Sequence, residues 1–189
     1  SVVMTEKWRL VNTDRAQELY DIQIDPLQRN NIASQRPEIV NNLRTAYQSF
    51  WQRVSPGLKP VAIDIGDLTE NPSVLCSQDW RPETGNPPWN FSSIKKIPKV
   101  TYPWLVNILE SGKYRFTLRQ WPKEADKPIV GIKAKIKIAG VEKEALIKDG
   151  SKEIDFTLSL PSGITELWTY IYNQQGQVGG AYFTEVEKL

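Results

Sequence analysis

The sequence predicts an α+β fold: an N-terminal β-hairpin plus one amphipathic helix over residues 1–57, followed by an antiparallel β-sandwich over residues 58–189. Two periodicities carry this prediction. Apolar residues recur at spacings of three and four between residues 37 and 54, which is typical of one face of a helix. Beyond residue 59 the spacing changes to two, which is typical of strands that bury one side.

The hairpin is predicted from two apolar segments that flank a run of turn-forming residues. Residues 2–11 (VVMTEKWRLV) alternate well enough to form one strand, and residues 17–22 (QELYDI) supply the second. The NTDRA segment between them contains Asn, Thr and Asp, whose side chains favour turns.

The helix is expected to begin at Pro37 and end at Val54, because proline is favoured in a first helical turn and Pro56-Gly57 stops a helix. A helix of this length is marginal alone in water, and an exposed apolar stripe favours aggregation. We therefore expect its apolar face to pack against the hairpin or the sandwich. That face contains Leu43, Tyr47, Phe50 and Trp51.

The sandwich is predicted from eight segments rich in β-favouring residues, separated by turn signals such as PSG and NQQGQ. In chain order they are VAIDI, SVLCS, TYPWLVNIL, KYRFTLRQW, IKAKIKI, EIDFTLSL, ITELWTYIY and GGAYFTEVEKL. Their spacing is close to that of an antiparallel sandwich. Residues 77–98 form a long connection, and connections of this length are usually functional or packed on a neighbour.

Composition excludes several classes of function. The 189 residues include no histidine, which rules out a Ser-His-Asp triad and histidine-ligated zinc. A net charge of +2 argues against nucleic acid as a partner, and no apolar run approaches the 20 residues of a membrane span. The chain starts at Ser1 with its single Met at position 4, so we expect it to be a piece of a longer protein.

The high tryptophan content, seven residues, suggests carbohydrate binding, because sugar rings stack on flat apolar surfaces while polar groups hold their hydroxyls. Trp80 and Trp89 lie in the long connection and Trp121 lies at a strand end, where exposure is favoured. Arg81 could give a sulfate group two parallel hydrogen bonds. The candidate carbohydrate-binding residues are Trp80, Arg81, Trp89 and Trp121; packing in the core or against another domain is the alternative for the three tryptophans.

A second group of aromatic residues falls inside predicted strands. Trp168, Tyr170 and Tyr172 also offer flat faces to sugars. Core packing is the more common role of a tryptophan within a strand, so Trp104 and Trp168 are predicted to be core residues.

A resemblance to a known family lies in three segments of the first 55 residues: TEKWRLVN, ELYDIQIDPLQRNNIA and RPEIVNNLRTAYQSFWQRV. These segments resemble the C-terminal end of arylsulfatase-type sulfatases, members of the alkaline-phosphatase superfamily. In those enzymes a strand with a Trp/Tyr-Lys/Arg-Leu element precedes Leu-Tyr-Asp, an Asp-Pro turn, an Asn-Leu-Ala-like step and a final helix. The matching residues are Trp8-Arg9-Leu10, Leu19-Tyr20-Asp21, Asp25-Pro26 and Asn31-Ile32-Ala33. The later segments QDWRPETGNPPWN and YRFTLRQWPKEADKPI look like the β-rich extension of one subgroup.

The resemblance implies a parent enzyme that uses a formylglycine and a divalent cation, usually calcium. Formylglycine is made from the first residue of a Cys/Ser-x-Pro-x-Arg motif, which this chain lacks. Cys76 is followed by Ser-Gln-Asp-Trp, and SLPSG ends in Gly163 where the motif needs arginine. No catalytic residue, metal site or cofactor is therefore expected in this chain, which alone should hydrolyse no sulfate ester.

By resemblance, the chain is the non-catalytic C-terminal region of a periplasmic or secreted sulfatase. It would support a catalytic domain upstream in the same polypeptide and help to present substrate, for which a sulfated glycan is the expected class. Two alternatives stay open: an autonomous carbohydrate-binding β-sandwich module with a helical prefix, and a structural module without a ligand.

Overall fold

The computed structural model describes residues 1–13, 15–88, 90–95 and 100–189. The chain divides into two compact units, residues 1–59 and residues 60–189. Within the described ranges, no helix combines the length and the apolar character needed to cross a membrane.

The first unit begins with a three-stranded antiparallel sheet. In pairing order its strands are β1 (Val2–Met4), β2 (Trp8–Asn12) and β3 (Gln17–Asp21). The first predicted strand, residues 2–11, is therefore two strands joined by a turn. Thr5 makes this turn, because its hydroxyl oxygen accepts hydrogen bonds from the backbone N–H groups of Lys7 (3.3 Å) and Trp8 (2.9 Å).

Two polar side chains hold the segment between the sheet and the helix. The carboxylate of Asp25 accepts a hydrogen bond from the backbone N–H of Asn30 at 2.8 Å. The side-chain oxygen of Asn31 accepts from the backbone N–H groups of Leu19 (3.1 Å) and Ala33 (2.9 Å). Asn31 thus ties the approach to the helix back onto the third strand.

The helix has its predicted bounds and packs on the sheet through its N-terminal half. The helical elements are the 3-10 turn Ala33–Gln35, α1 (Pro37–Val54) and the 3-10 turn Ser55–Gly57. Val40 and Leu43 share one buried cluster with Leu10 and Leu19 of the sheet.

The C-terminal half of α1 is not buried. Phe50 is 50% exposed and Trp51 is 47% exposed, and Tyr47 lies beside Trp51 with ring centroids 6.4 Å apart. The prediction that the whole apolar face packs is therefore wrong beyond Leu43. A helix of 18 residues is about 27 Å long, whereas a sheet whose longest strands have five residues extends about 17 Å at most, so the sheet cannot cover it.

The second unit contains ten strands among its described residues. They are β4 (Ile63–Ile65), β5 (Ser73–Cys76), β6 (Trp104–Ile108), β7 (Gly112–Arg119), β8 (Lys133–Ile138), β9 (Val141–Leu146), β10 (Ile154–Leu160), β11 (Gly163–Tyr172), β12 (Val178–Gly179) and β13 (Phe183–Lys188). Its helical elements are α2 (Phe91–Ile94) and the 3-10 turns Ser77–Asp79 and Lys123–Ala125.

These strands form two sheets that share one core. One sheet has the order β10-β7-β13-β5; the other has the order β4-β6-β11-β8-β9, with β12 paired to β11. Tyr114 and Phe116 of the first sheet belong to the same buried cluster as Trp104 and Ile136 of the second. The predicted α+β class is confirmed, although the pairing of β4 with β6 is parallel rather than antiparallel.

Strand β9 is not one of the eight segments counted for the sandwich, although the alternating charges of its VEKEA sequence indicate a solvated strand face. Its sequence VEKEAL pairs only with β8, at the edge of the larger sheet, and Glu142, Lys143 and Glu144 are exposed. Charged side chains protect an edge strand from pairing with other chains, but they also remove the apolar alternation by which a strand is recognised.

Candidate functional site

Trp80, the first candidate from the sequence, is buried rather than exposed. Its side chain is only 2% exposed. The ring lies against three other aromatic residues: it stacks on Tyr182 (centroids 5.6 Å apart) and meets the edges of Trp104 (5.5 Å) and Tyr102 (6.3 Å). The expectation that Trp80 reaches the surface is wrong, and its ring cannot stack on a sugar.

Trp121 does not provide an exposed ring either. Trp121 is 8% exposed, its indole N–H donates to the carbonyl oxygen of Pro128 (3.2 Å), and the Lys127 ammonium lies 5.0 Å from its ring centroid. Trp121 is thus held in place by its own loop, contrary to the sequence-based expectation. Trp89 lies outside the described residues.

Arg81 is exposed and borders a cleft of about 330 Å³, here called the Arg81 cleft. The backbone N–H of Arg81 donates to the carbonyl of Pro103 (2.8 Å), which fixes the connection beside the start of β6. Its guanidinium donates to the carbonyl of Val61 (3.3 Å). The cleft is lined by Arg81, Glu83, Thr84, Thr101, Tyr102, Pro103, Glu166 and Trp168.

Three aromatic side chains on the outer face of β11 continue from this cleft. Trp168, Tyr170 and Tyr172 alternate with the buried residues Leu167, Thr169 and Ile171, and all three are partly exposed. We call these three side chains the aromatic row. The prediction that Trp168 is a core residue is therefore wrong, whereas Trp104 is fully buried as expected.

The orientation of the aromatic row is fixed by local contacts. The rings of Trp168 and Tyr170 are nearly parallel, with planes 6° apart and centroids 6.2 Å apart. The indole N–H of Trp168 donates to the carboxylate of Glu166, two residues earlier on the same face, at 2.9 Å. Trp168 and Glu166 both line the Arg81 cleft, so Trp168 belongs to the row and to the wall of the cleft.

Lysines of β8 flank the aromatic row. In the strand register, Lys137 lies opposite Trp168, Lys135 opposite Tyr170, and Lys133 opposite Tyr172. The ammonium of Lys133 lies 4.4 Å from the ring centroid of Tyr172, and that of Lys135 lies 5.9 Å from the centroid of Tyr170. These contacts lie within the range of cation–π interactions.

Each of these lysines is paired with a glutamate of β9. Lys133 contacts Glu144 at 3.1 Å, and Lys135 and Lys137 contact Glu142 at 2.6 and 3.5 Å. The hydrogen bond between them raises the pKa of Lys135 and lowers the pKa of Glu142, so both groups are charged at neutral pH. The lysines are thus held in place by carboxylates.

The tyrosine hydroxyls of the row are available to a ligand. Burial raises the pKa of Tyr170, so its hydroxyl keeps its proton at neutral pH and can donate a hydrogen bond. Among the residues that the structure describes, no hydrogen bond involves the hydroxyl of Tyr170 or Tyr172. The face thus combines aromatic rings with free hydroxyls, a guanidinium and carboxylates, which are the groups that hold sugars.

Sequence analysis noted the flat faces of Trp168, Tyr170 and Tyr172 but not that they form one partly exposed row. The assignment of Arg81 as a carbohydrate-binding residue stays a prediction, although Arg81 does border a cleft. A signal for the row was present: aromatic residues at positions 168, 170 and 172 share one face of a strand, and the IKAKIKI segment supplies a matching row of lysines. Over the described residues, no group of three or more His, Cys, Asp or Glu side chains is placed to hold a metal ion.

Comparisons with known proteins do not place the chain in a family. No family model and no curated protein match the sequence. Two solved structures are similar in part. A ruminal GH26 endo-β-1,4-mannanase has 16% identity and a TM-score of 0.40, over 62% of this chain and 26% of its own. An exo-β-1,3-galactanase from Phanerochaete chrysosporium, solved with galactose, has 11% identity and a TM-score of 0.27, over 46% of this chain and 20% of its own.

Proposed function

We propose that residues 60–189 form a non-catalytic carbohydrate-binding unit, and that its binding surface is the aromatic row together with the Arg81 cleft. The observation that carries this proposal is the partial exposure of Trp168, Tyr170 and Tyr172 along one strand. The sequence analysis left a carbohydrate-binding module open as an alternative. The surface proposed here is the aromatic row with Arg81, rather than Trp80, Trp89 and Trp121.

The geometry of the row suits an elongated ligand. Alternate residues on a strand are about 6.6–6.8 Å apart, so the row extends for about 13 Å from Tyr172 to Trp168, which lines the cleft. A saccharide laid along it would contact apolar ring surface and the hydroxyls of Tyr170 and Tyr172. At the cleft, Glu166 and Arg81 add acceptors and donors for sugar hydroxyls.

A purely structural role explains the row less well. The inner face of β11 already contributes Leu167 and Ile171 to the core, where both are buried. The aromatic row lies on the opposite face, where three partly exposed rings add little to the core. Contiguous apolar surface of this kind on a soluble protein commonly marks a binding site.

The proposal is tested by affinity electrophoresis in gels that contain hydroxyethyl cellulose, laminarin, agarose or dextran, followed by calorimetric titration of each retained polysaccharide. We expect retention in at least one gel. Trp168→Ala and Tyr170→Ala should each reduce the affinity about tenfold or more, which is the effect of removing a central aromatic contact.

Trp51→Ala is the matched control, because Trp51 is an exposed tryptophan of α1 outside the sheet. It should leave retention unchanged. Circular dichroism must show that the Trp168 and Tyr170 variants are folded. Absence of retention in every gel, or retention that survives both row substitutions, would contradict the proposal.

We also propose that the first unit is the C-terminal subdomain of an arylsulfatase-type sulfatase, so that the sandwich serves a catalytic domain in the same polypeptide. The support is local: Asp25 and Asn31, two of the residues that carry the resemblance, organise the segment between sheet and helix. Such a parent would be exported and would supply the formylglycine and calcium that this chain does not.

The sulfatase proposal is tested on the encoding gene. A Cys/Ser-x-Pro-x-Arg motif is expected upstream of Ser1 in the same reading frame, and its absence from the full reading frame would refute the proposal. The isolated chain should not hydrolyse 4-nitrophenyl sulfate in the presence of calcium, and turnover that survives further purification would refute its non-catalytic assignment.

A further inference from the structure

The charges beside the aromatic row cancel. Three lysines of β8 and three glutamates of β9 and β11 lie on the outer face of this sheet: Lys133, Lys135, Lys137, Glu142, Glu144 and Glu166. Every one of these lysines already has a carboxylate within 3.5 Å. A sulfate group laid on the row would have to separate an existing ion pair before it could bind an ammonium.

The Arg81 cleft is acidic on balance. Among the residues that line it, Arg81 is the cation, and Glu83 and Glu166 are carboxylates. The guanidinium of Arg81 also donates to the carbonyl of Val61, which reduces the donors left for a ligand. A sulfate in this cleft would face two like charges, and like charges at short range disfavour binding.

We infer that this surface binds an uncharged polysaccharide and discriminates against its sulfated form. The inference rests on the proposed carbohydrate-binding function and names the substrate class of that site. It departs from the sulfated glycan that the sequence resemblance implies: the sandwich holds unsulfated stretches of a polymer rather than the sulfate ester itself.

Neutral sugars suit the groups that are present. A sugar hydroxyl both donates and accepts hydrogen bonds, so it can donate to the carboxylate of Glu83 or Glu166 and accept from the Tyr170 hydroxyl. Glu166 uses one oxygen for the Trp168 indole, and its other oxygen remains an acceptor. Carboxylates in the cleft thus favour hydroxyl donors and repel sulfate, which can only accept.

The experiment compares matched pairs: hydroxyethyl cellulose, laminarin, agarose and dextran, each against its chemically sulfated derivative. Calorimetric titrations are run at 50 and 500 mM NaCl with the full chain. For the pair whose parent binds, the sulfated form should bind about tenfold more weakly or worse, and the affinity for the parent should change less than about twofold with salt.

Two isosteric variants test the cause of the discrimination. Glu83→Gln and Glu166→Gln remove a negative charge and keep an acceptor oxygen, so each should raise the affinity for the sulfated form by about threefold to tenfold. Trp51→Ala serves as a control that changes neither affinity.

The outcomes separate the two proposals. Equal or tighter binding of the sulfated form, weakened by 500 mM NaCl, would overturn the inference of a neutral ligand while leaving carbohydrate binding intact. If neither member of any pair binds, carbohydrate binding itself fails. If the sulfated form is excluded equally by the wild type and by both glutamine variants, the assigned charges are not the cause and the inference fails.

Discussion

The indole ring of Trp80 stacks on the phenol ring of Tyr182, with centroids 5.6 Å apart and planes inclined by 20°. Burial is deep enough to raise the pKa of Tyr182 to about 12. This contact anchors the long connection to the start of β13, so that the next residue, Arg81, emerges at the cleft. The buried tryptophan therefore positions the site without touching a ligand.

Replacement of Trp80 should destabilise the second unit strongly. Trp80→Ala is expected to cost about 3–5 kcal/mol of unfolding free energy, because it leaves a cavity among Tyr102, Trp104 and Tyr182. Urea unfolding followed by far-ultraviolet circular dichroism measures the change. Trp51→Ala, at a half-exposed site, should change stability by no more than about 0.5 kcal/mol; equal losses for the two variants would contradict this placement of the rings.

Gly180 is required by the close approach of Trp80. A Cβ atom added at Gly180 would lie 2.6 Å from Cζ2 of the indole and 2.9 Å from the Thr101 hydroxyl oxygen. Gly180→Ala should therefore cost about 1–3 kcal/mol. Gly112→Ala is the control, since the nearest atom to its added Cβ would be Cε of Lys188 at 3.8 Å, an ordinary contact.

A double variant makes this prediction specific. If the clash is with the indole, Trp80→Leu should cost less in the Gly180→Ala background than in the wild type, because the leucine removes the atoms that collide. Additive losses in chemical denaturation would show that Gly180 is needed for a different reason.

Asp25 should contribute stability that depends on pH. The backbone N–H of Asn30, followed by that of Arg29, lowers the pKa of this carboxyl below its usual value of 3.8. The group therefore stabilises the fold above pH 3.8, and this contribution is lost as the pH falls through the lowered pKa. Asp25→Asn should reduce the stability of the first unit at pH 7 and have a smaller effect near pH 2. A difference that stays constant from pH 7 to pH 2, measured by chemical denaturation, would contradict the prediction.

Arg119 should be more important for stability than a surface arginine on the same strand. Its side chain is 8% exposed; Nε lies 2.8 Å from a carboxylate oxygen of Glu153, and Nη1 lies 3.0 Å from one of Glu185. Arg119→Met should cost about 3 kcal/mol, because Glu185 is only 21% exposed and would lose its closest cation. Urea denaturation monitors the loss.

The control for Arg119 is Arg115, which forms a cross-strand pair with Glu187 but has a side chain that is 47% exposed. Arg115→Met should cost less than about 1 kcal/mol. If both arginine variants lose the same stability, burial does not distinguish the two ion pairs.

Local sequence was sufficient for the elements that depend on neighbouring residues. Helix α1 runs from Pro37 to Val54 as predicted, because its apolar spacing, the proline at its start and the Pro56-Gly57 stop all act within the segment. The alternating segments are likewise strands. Strand β9 was not counted among the eight segments because its charged residues obscure its apolar alternation, although Val141 and Ala145 pack against the core.

Only the tertiary structure decided which tryptophans are exposed. Alternation shows that Trp168, Tyr170 and Tyr172 share one face of β11, but both faces of that strand carry apolar side chains, and the partner sheet covers the face of Leu167 and Ile171. Trp80 lies in a polar connection and is buried because Tyr182 and Trp104, distant in sequence, surround it. Burial is a property of packed elements rather than of local sequence, which is why the aromatic row replaced the predicted tryptophans as the candidate binding surface.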